Sequence, residues 1–387
     1  MDPRPLDPAP LDPRRAGLSR ADLSRADGLR VPRALREAHR GHGADTGAWL
    51  DAAPDLAARL LDAWGLRVDG PTAHGAVAWI VPVRRADGSQ AVLKLQPRDE
   101  ETVGEPLALR VWSGDGAVLL LDHDEPSGSM LLERLDASRS IGTLPVPAAL
   151  DVIGALLRRL HRSPLPPATP PPPPQPPPPA VPSPAPQPPP PPEPPPAPQP
   201  TPSPTRATAR PPAPATPPDG ALRTLADLGA RLLDEAPHVV APDAGWRRVL
   251  DGCAAALAEV ITEPGDRVLH GDLHYANVLA PLAGSPAAER GEWLAIDPKP
   301  LLGDPCYELL PALHNRWDEA VATGDAARVA LRRFDRLIES ACLDPDRAVA
   351  WTLARCLSSL LWALEAPSRP FAAPDLTIAR ALLARRR

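Results

Sequence analysis

Beyond residue 30 the apolar positions change period in a definite order. Trp49, Leu50, Leu56, Leu60, Leu61 and Trp64 recur at helical spacing and predict one or two amphipathic helices. Val77, Trp79, Val81 and Val83 then alternate with smaller or polar residues, Ala86-Asp87-Gly88-Ser89 supplies a turn, and Ala91 to Leu95 resumes as a second strand. Ala117 to Leu121 and Met130 to Leu132 read as two further strands around a turn from Asp122 to Gly128. The period changes back at Leu150 to His161, where Leu150, Ile153, Leu156, Leu157 and Leu160 share one helical face. Leu222, Leu225, Leu228, Leu232 and Leu233 continue in the same way, followed by Val249 to Val260. Val268-Leu269 enters a polar loop and Val278-Leu279 leaves it as a strand; a turn from Ala283 to Gly291 leads back through Trp293 to Ile296, completing a hairpin. Leu309 to Leu383 is helical, with Trp317, Phe334, Leu337, Trp351, Leu357, Leu361 and Trp362 as expected core.

Two stretches break this order. Residues 1–30 repeat short units such as Pro5-Leu6-Asp7-Pro8 and Leu18-Ser19-Arg20-Ala21-Asp22, too polar to offset chain entropy by burial, and are expected to form a disordered tail. Residues 164–218 hold most of the 59 prolines and cannot donate the backbone hydrogen bonds of helix or sheet. Because helices resume after it, this stretch is expected to be a disordered, polyproline-rich insert in one fold, closed at a cost of about 3–4 kcal/mol. Recognition of its P-x-x-P pattern is an open alternative, and the sequence names no partner for it.

Composition narrows the function. A net charge of −6 gives no basic footprint for nucleic acid. No apolar run approaches the length that spans a membrane, and the amino terminus lacks the apolar core of a signal peptide, so a soluble cytoplasmic protein is expected. The cysteines, Cys253, Cys306, Cys342 and Cys356, form no C-x-x-C pair and no zinc spacing. Lysine occurs only at Lys94 and Lys299.

The chemistry concentrates in His270-Gly271-Asp272-Leu273-His274-Tyr275-Ala276-Asn277, followed by Ile296-Asp297-Pro298. An acid five positions before an amide, with a second acid returned by a hairpin, has the spacing of a phosphoryl-transfer loop. Asp272 would accept a hydroxyl proton, while Asn277 and Asp297 would offer oxygens to Mg2+, which needs few protein ligands when phosphates supply the rest. Lys94, between apolar neighbours on a strand, fits the lysine that clamps the phosphates of ATP. Gly70 and Gly75, read as glycines of one turn before it, would let backbone amides approach those phosphates. Alternatively, His270, Asp272 and His274 alternate and could ligate a transition metal, which would make the protein a metallohydrolase.

The motifs H-G-D-L-H-x-x-N, W-L-A-I-D-P-K-P-L-L-G-D-P-x-Y and H-N-R-W-D-E together resemble the aminoglycoside phosphotransferase superfamily, and within it the aminoglycoside or hydroxyurea resistance kinases. The resemblance covers Val31 to about Leu383. It implies an α+β, two-lobed protein-kinase-like fold with a small sheet lobe and a larger helical lobe. On that reading residues 31–135 form an N-terminal nucleotide-binding lobe, and residues 136–387 a C-terminal catalytic lobe that the insert interrupts. The same resemblance implies ATP and Mg2+ as cofactors and places the lysine's glutamate partner at Glu105, with Glu100 and Glu101 as other candidates. It puts an adenine contact near Glu133 to Leu135, and it makes Asp318 and Glu319 candidates for holding a cationic acceptor. That acceptor would be an aminoglycoside such as streptomycin, whose phosphorylation gives resistance. A kinase of the same fold acting on another metabolite, or a nucleotide-binding module without turnover, remains an alternative. Where the family usually has aspartate in D-P-x-Y-D-L, this chain has Glu308.

Overall fold

The alternating run around Trp79 forms the centre of an antiparallel sheet in the computed structural model, which describes residues 29–39, 44–162, 222–365 and 372–386. The proline-rich insert expected at 164–218, and the tail up to residue 28, lie outside the described residues. Helices α1 (Arg33–Ala38) and α2 (Ala44–Ala63) precede strands β1 (Arg67–Val68), β2 (Ala73–His74), β3 (Trp79–Arg84) and β4 (Gln90–Leu95). Helix α3 (Glu105–Trp112) and strands β5 (Leu120–Asp124) and β6 (Ser129–Glu133) complete the small lobe. Its six strands run in the order β1-β3-β4-β6-β5, with β2 also on β3.

The strand period decides what each face of this sheet covers. Trp79, Val81, Val83, Leu93, Leu95 and Leu131 pack with Leu35, Leu56 and Leu60 of the first two helices in a core of their own. Met130 and Leu132, one residue out of step with Leu131, join Leu109 and Trp112 of α3 in the larger core. Helix α3 is thereby seated against the larger, helical lobe.

That lobe begins with β7 (Leu135–Ser140) and α4 (Val146–Leu160) and resumes at β8 (Arg223–Thr224), α5 (Leu225–Glu235) and α6 (Ala244–Val260). Thr224 and Asp243 cap α5 and α6 by accepting from backbone N–H groups of the first turn. Next come β9 (Arg267–Leu269), β10 (Val278–Pro281), β11 (Leu294–Ala295) and β12 (Leu301–Gly303), then α7 (Leu310–His314), α8 (Trp317–Ala322), α9 (Ala326–Ala341), α10 (Pro345–Glu365) and α11 (Ala372–Arg385). Two three-stranded sheets, β11-β10-β7 and β8-β12-β9, carry the chemistry-bearing loops. At the crossing of α4 and α9, a Cβ on Gly154 would come within 2.3 Å of Ser340, so the close approach requires glycine.

Two expectations need correction. Ala117 to Leu119 does not extend the strand: Val118 N–H donates to Ala295 O and Ala295 N–H to Gly116 O, a single parallel bridge from Ala117 to β11, and the strand starts at Leu120. Trp362 is 54% exposed, not core: it lies beside the part-buried Arg355, Ser358 and Ser359 of α10, off the face that buries Leu357 and Leu361. Among the described residues no helix is long and apolar enough to cross a membrane.

Candidate active site

The polar loop between β9 and β10 is shaped by backbone constraints before any side chain acts. Gly271 has φ +76°, and a Cβ there would lie 2.1 Å from the Lys299 carbonyl, so only glycine fits. His270 is fully buried and stacks on Trp112 with ring centroids 6.1 Å apart. Its Nε2 lies 3.0 Å from Ile296 O, and its Nδ1 accepts from Asp272 N–H at 3.3 Å. Burial pushes the imidazole pKa down, which matches a neutral ring with one nitrogen donating and the other accepting. Asn277 donates through Nδ2 to Asp272 O at 2.9 Å, leaving its amide oxygen as the acceptor.

Three residues brace this loop from behind. Glu308 accepts from His270 N–H at 2.5 Å and from Gly271 N–H at 3.3 Å, and lies 3.3 Å from His161 Nε2. The glutamate that departs from the family pattern therefore reaches two backbone amides of the loop. Arg355 donates to Gly271 O at 3.0 Å while its guanidinium lies 4.9 Å from the centre of the Tyr307 ring. Asn315 Oδ1 accepts from Tyr275 N–H at 2.9 Å. Asp304 does not reach the loop; it caps Cys306 and pairs with Arg347 at 2.5 Å.

Asp297 follows β11 with φ +58°, a left-handed conformation uncommon outside glycine that aspartate tolerates better than most residues. Lys94 Nζ, only 3% exposed, donates to its carboxylate at 2.5 Å and to Glu105 at 2.7 and 2.8 Å. Gln96 holds the same Glu105 carboxylate at 2.7 Å. Burial alone would depress the Lys94 pKa, but the Asp297 and Glu105 charges more than offset it and raise the value. Burial likewise works against ionised Asp297, and Lys94 reverses it, holding that carboxyl below its usual range.

A second lysine stands beside the first. Lys299 Nζ lies 3.2 Å from Glu101 and 3.5 Å from Asp272 Oδ2, with His274 Nε2 4.0 Å from the same oxygen. The glutamate partner of Lys94 is thus Glu105, while Glu101 turns to Lys299. Lys94 contacts Asp297, and Asp272 joins the group through Lys299, two residues beyond Asp297.

The remaining candidates are more dispersed. Gly70 and Gly75 do not share one turn, because β2 intervenes: Gly75 lies in the hairpin from β2 to β3, whereas Gly70 sits against Pro82 and Arg134. Glu133 gives its N–H to Leu119 O and uses its carboxylate on Leu119 N–H and Arg290, so its side chain ties strands together. Leu135 is buried and opposite Pro281 in the β7–β10 pair. Asp318 and Glu319 occupy the first turn of α8, where Glu319 pairs with Arg316 at 2.5 Å.

The donor set fits magnesium better than a transition metal. Asn277 and Asp297 provide oxygen atoms, the ligands Mg2+ prefers. Among the described residues no three His, Cys, Asp or Glu side chains form a metal-binding group, and both ring nitrogens of His270 are engaged.

With this geometry in view, comparison with known proteins is direct. The family model described as aminoglycoside/hydroxyurea antibiotic resistance kinase matches residues 63–176 and 206–366. The chain belongs to this kinase family. It is 41% identical over 358 residues to streptomycin 6-kinase of Streptomyces griseus, covering 92% of this chain and 97% of that one. It is 40% identical over 363 residues to hydroxyurea phosphotransferase of Kitasatospora aureofaciens, covering 92% and 87% respectively. A solved aminoglycoside phosphotransferase in ternary complex with AMP-PNP and hygromycin B aligns at 14% identity and TM-score 0.48, over 84% of this chain and 96% of that one. The kinase membership, with a sheet lobe and a helical lobe, agrees with the expectation drawn from the motifs.

Proposed function

We propose that this kinase moves the γ-phosphoryl group of Mg-ATP to a hydroxyl of a cationic aminoglycoside, with streptomycin as the leading acceptor, and that it confers resistance in the cytoplasm. The observation that carries the reading is Lys94, held at once by Glu105 and by Asp297, with Asp272 reached through the neighbouring Lys299. The first lobe, up to about residue 135, would hold the nucleotide, with the hairpin at Gly75 nearest the phosphates and the segment from Glu133 to Leu135 nearest the base. Lys94 would bind phosphate oxygens while Glu105 keeps it charged and oriented.

Asn277 and Asp297 would hold magnesium, which when bound neutralises charge on the phosphate oxygens. Asp272 takes the proton of the acceptor hydroxyl. Its orientation comes from the loop, since Glu308, Arg355 and Asn315 fix the backbone on either side of it. Asp318 and Glu319 remain the candidates for holding a guanidinium group.

The acceptor follows from similarity: relatives at 41% and 40% identity carry the names streptomycin 6-kinase and hydroxyurea phosphotransferase. ADP release should therefore be measured with streptomycin, hydroxyurea and several other aminoglycosides, with product mass as a second readout. Streptomycin-dependent ADP release with a phosphorylated product is expected. Turnover with hydroxyurea alone would move the acceptor assignment, and no turnover with any of these acceptors would overturn it.

A further inference from the structure

Each lysine of the chain is held by one glutamate beside α3 and one aspartate of the catalytic lobe: Lys94 by Glu105 and Asp297, Lys299 by Glu101 and Asp272. The two sets differ in freedom. Lys94 is 3% exposed and bonded at 2.5–2.8 Å, whereas the Lys299 side chain is 41% exposed and its contacts lie at 3.2 and 3.5 Å. The Lys299 backbone, in contrast, is fixed. Its N–H donates to His270 O at 2.8 Å, its carbonyl packs where a Gly271 Cβ would be, and Pro298 and Pro300 flank it. The result is a partly exposed ammonium on a fixed backbone, beside the carboxylate assigned to take the hydroxyl proton. A cation that touches this carboxylate is also near the phosphorus that the hydroxyl attacks.

We propose that Lys299 is a catalytic residue that leaves Glu101 and Asp272 to bind the transferring phosphoryl group, a role that rests on the kinase reading above. In the step, the acceptor oxygen forms a bond to the γ-phosphorus and its proton passes to Asp272. The bond from that phosphorus to the β–γ bridging oxygen breaks, and its electron pair leaves on ADP. Lys299 keeps its protons throughout and donates hydrogen bonds to the equatorial oxygens, where negative charge accumulates. Glu101 holds the ammonium in place while the cleft is empty. The lysine stem, flexible and carrying three donors, suits such an exchange of partners.

A contact to the γ-phosphate distinguishes ATP from ADP, and binding can be read without turnover. Dissociation constants for Mg-ATP and Mg-ADP should be measured by calorimetry for the native protein, Lys299→Met and Lys299→Arg, with circular dichroism as the folding control. Lys299→Met is expected to weaken ATP binding about tenfold, leave ADP binding within about twofold, and lower kcat with the best acceptor by about 10²–10³-fold. Lys299→Arg should keep most of the ATP preference. An equal shift for both nucleotides, or none, would mean that Lys299 only braces the loop or orients Asp272, and the proposal would be wrong. If Lys299→Met does not fold, Lys299→Gln gives the same ratio. Native protein that binds ATP through Lys299 but turns over no acceptor would defeat the acceptor assignment alone; native protein that binds no nucleotide would defeat both.

Discussion

The two lysine clusters use the same chemical parts under different solvation. Around Lys94 the ammonium and the Glu105 carboxylate are withdrawn from water and bonded at 2.7–2.8 Å; around Lys299 all three partners are partly exposed and more than 3 Å apart. A buried ion pair gains little over an apolar replacement, yet removing one member strands the other at high cost. An exposed pair is worth little and can exchange partners. Burial therefore separates a clamp that fixes α3 against the helical lobe from a cation whose ion-pair partners can exchange.

The substitution that should break this contrast most severely is Lys94→Met. It leaves Glu105 buried without a counter-charge and should cost about 3–5 kcal/mol, measured by urea unfolding, along with nearly all turnover. Glu308→Ala is the next largest. It removes the acceptor for two buried backbone N–H groups, and about 2–3 kcal/mol should be lost, while Glu308→Asp, the residue usual in the family, should retain part of this.

His270 sharpens the comparison through pH. Its folded pKa is depressed below the ordinary 6.5, chiefly by burial. Above pH 6.5 neither state carries the proton; below it the unfolded chain binds a proton that the folded chain resists, so stability falls with pH. Thermal melts should show a loss of up to about 1 kcal/mol between pH 6.5 and 5.5, and His270→Gln should flatten that slope. The smallest effect belongs to Lys299→Met, whose unfolding free energy should change by less than about 1 kcal/mol. A loss as large as that of Lys94→Met would abolish the distinction between the clusters.

What the sequence revealed depends on the range of the interactions. The strand alternation at Trp79 to Val83 and the helical faces at Leu150 and Val249 are local signals, and their elements follow with shifts at the ends. The two- and three-residue strands β8, β9 and β12 have no periodicity to read, because pairing between distant segments creates them. The same reason hid Arg355: nothing nearby marks an arginine that reaches the Gly271 carbonyl across 84 residues. Spacing within one loop and the hairpin after it was enough to single out Asp272, Asn277 and Asp297 as candidates, whereas the choice between Glu101 and Glu105 depended on how α3 docks. The glycine reading failed in part because β2 separates Gly70 from Gly75.

On the proposed mechanism the Asp272 carboxylate accepts the hydroxyl proton and the nucleotide binds independently of it. Acceptor-dependent ADP release and Mg-ATP affinity, compared between native protein and Asp272→Asn, test this most directly. Turnover should fall by about 10²–10⁴-fold with ATP affinity essentially unchanged. Turnover within a few-fold of native would contradict it.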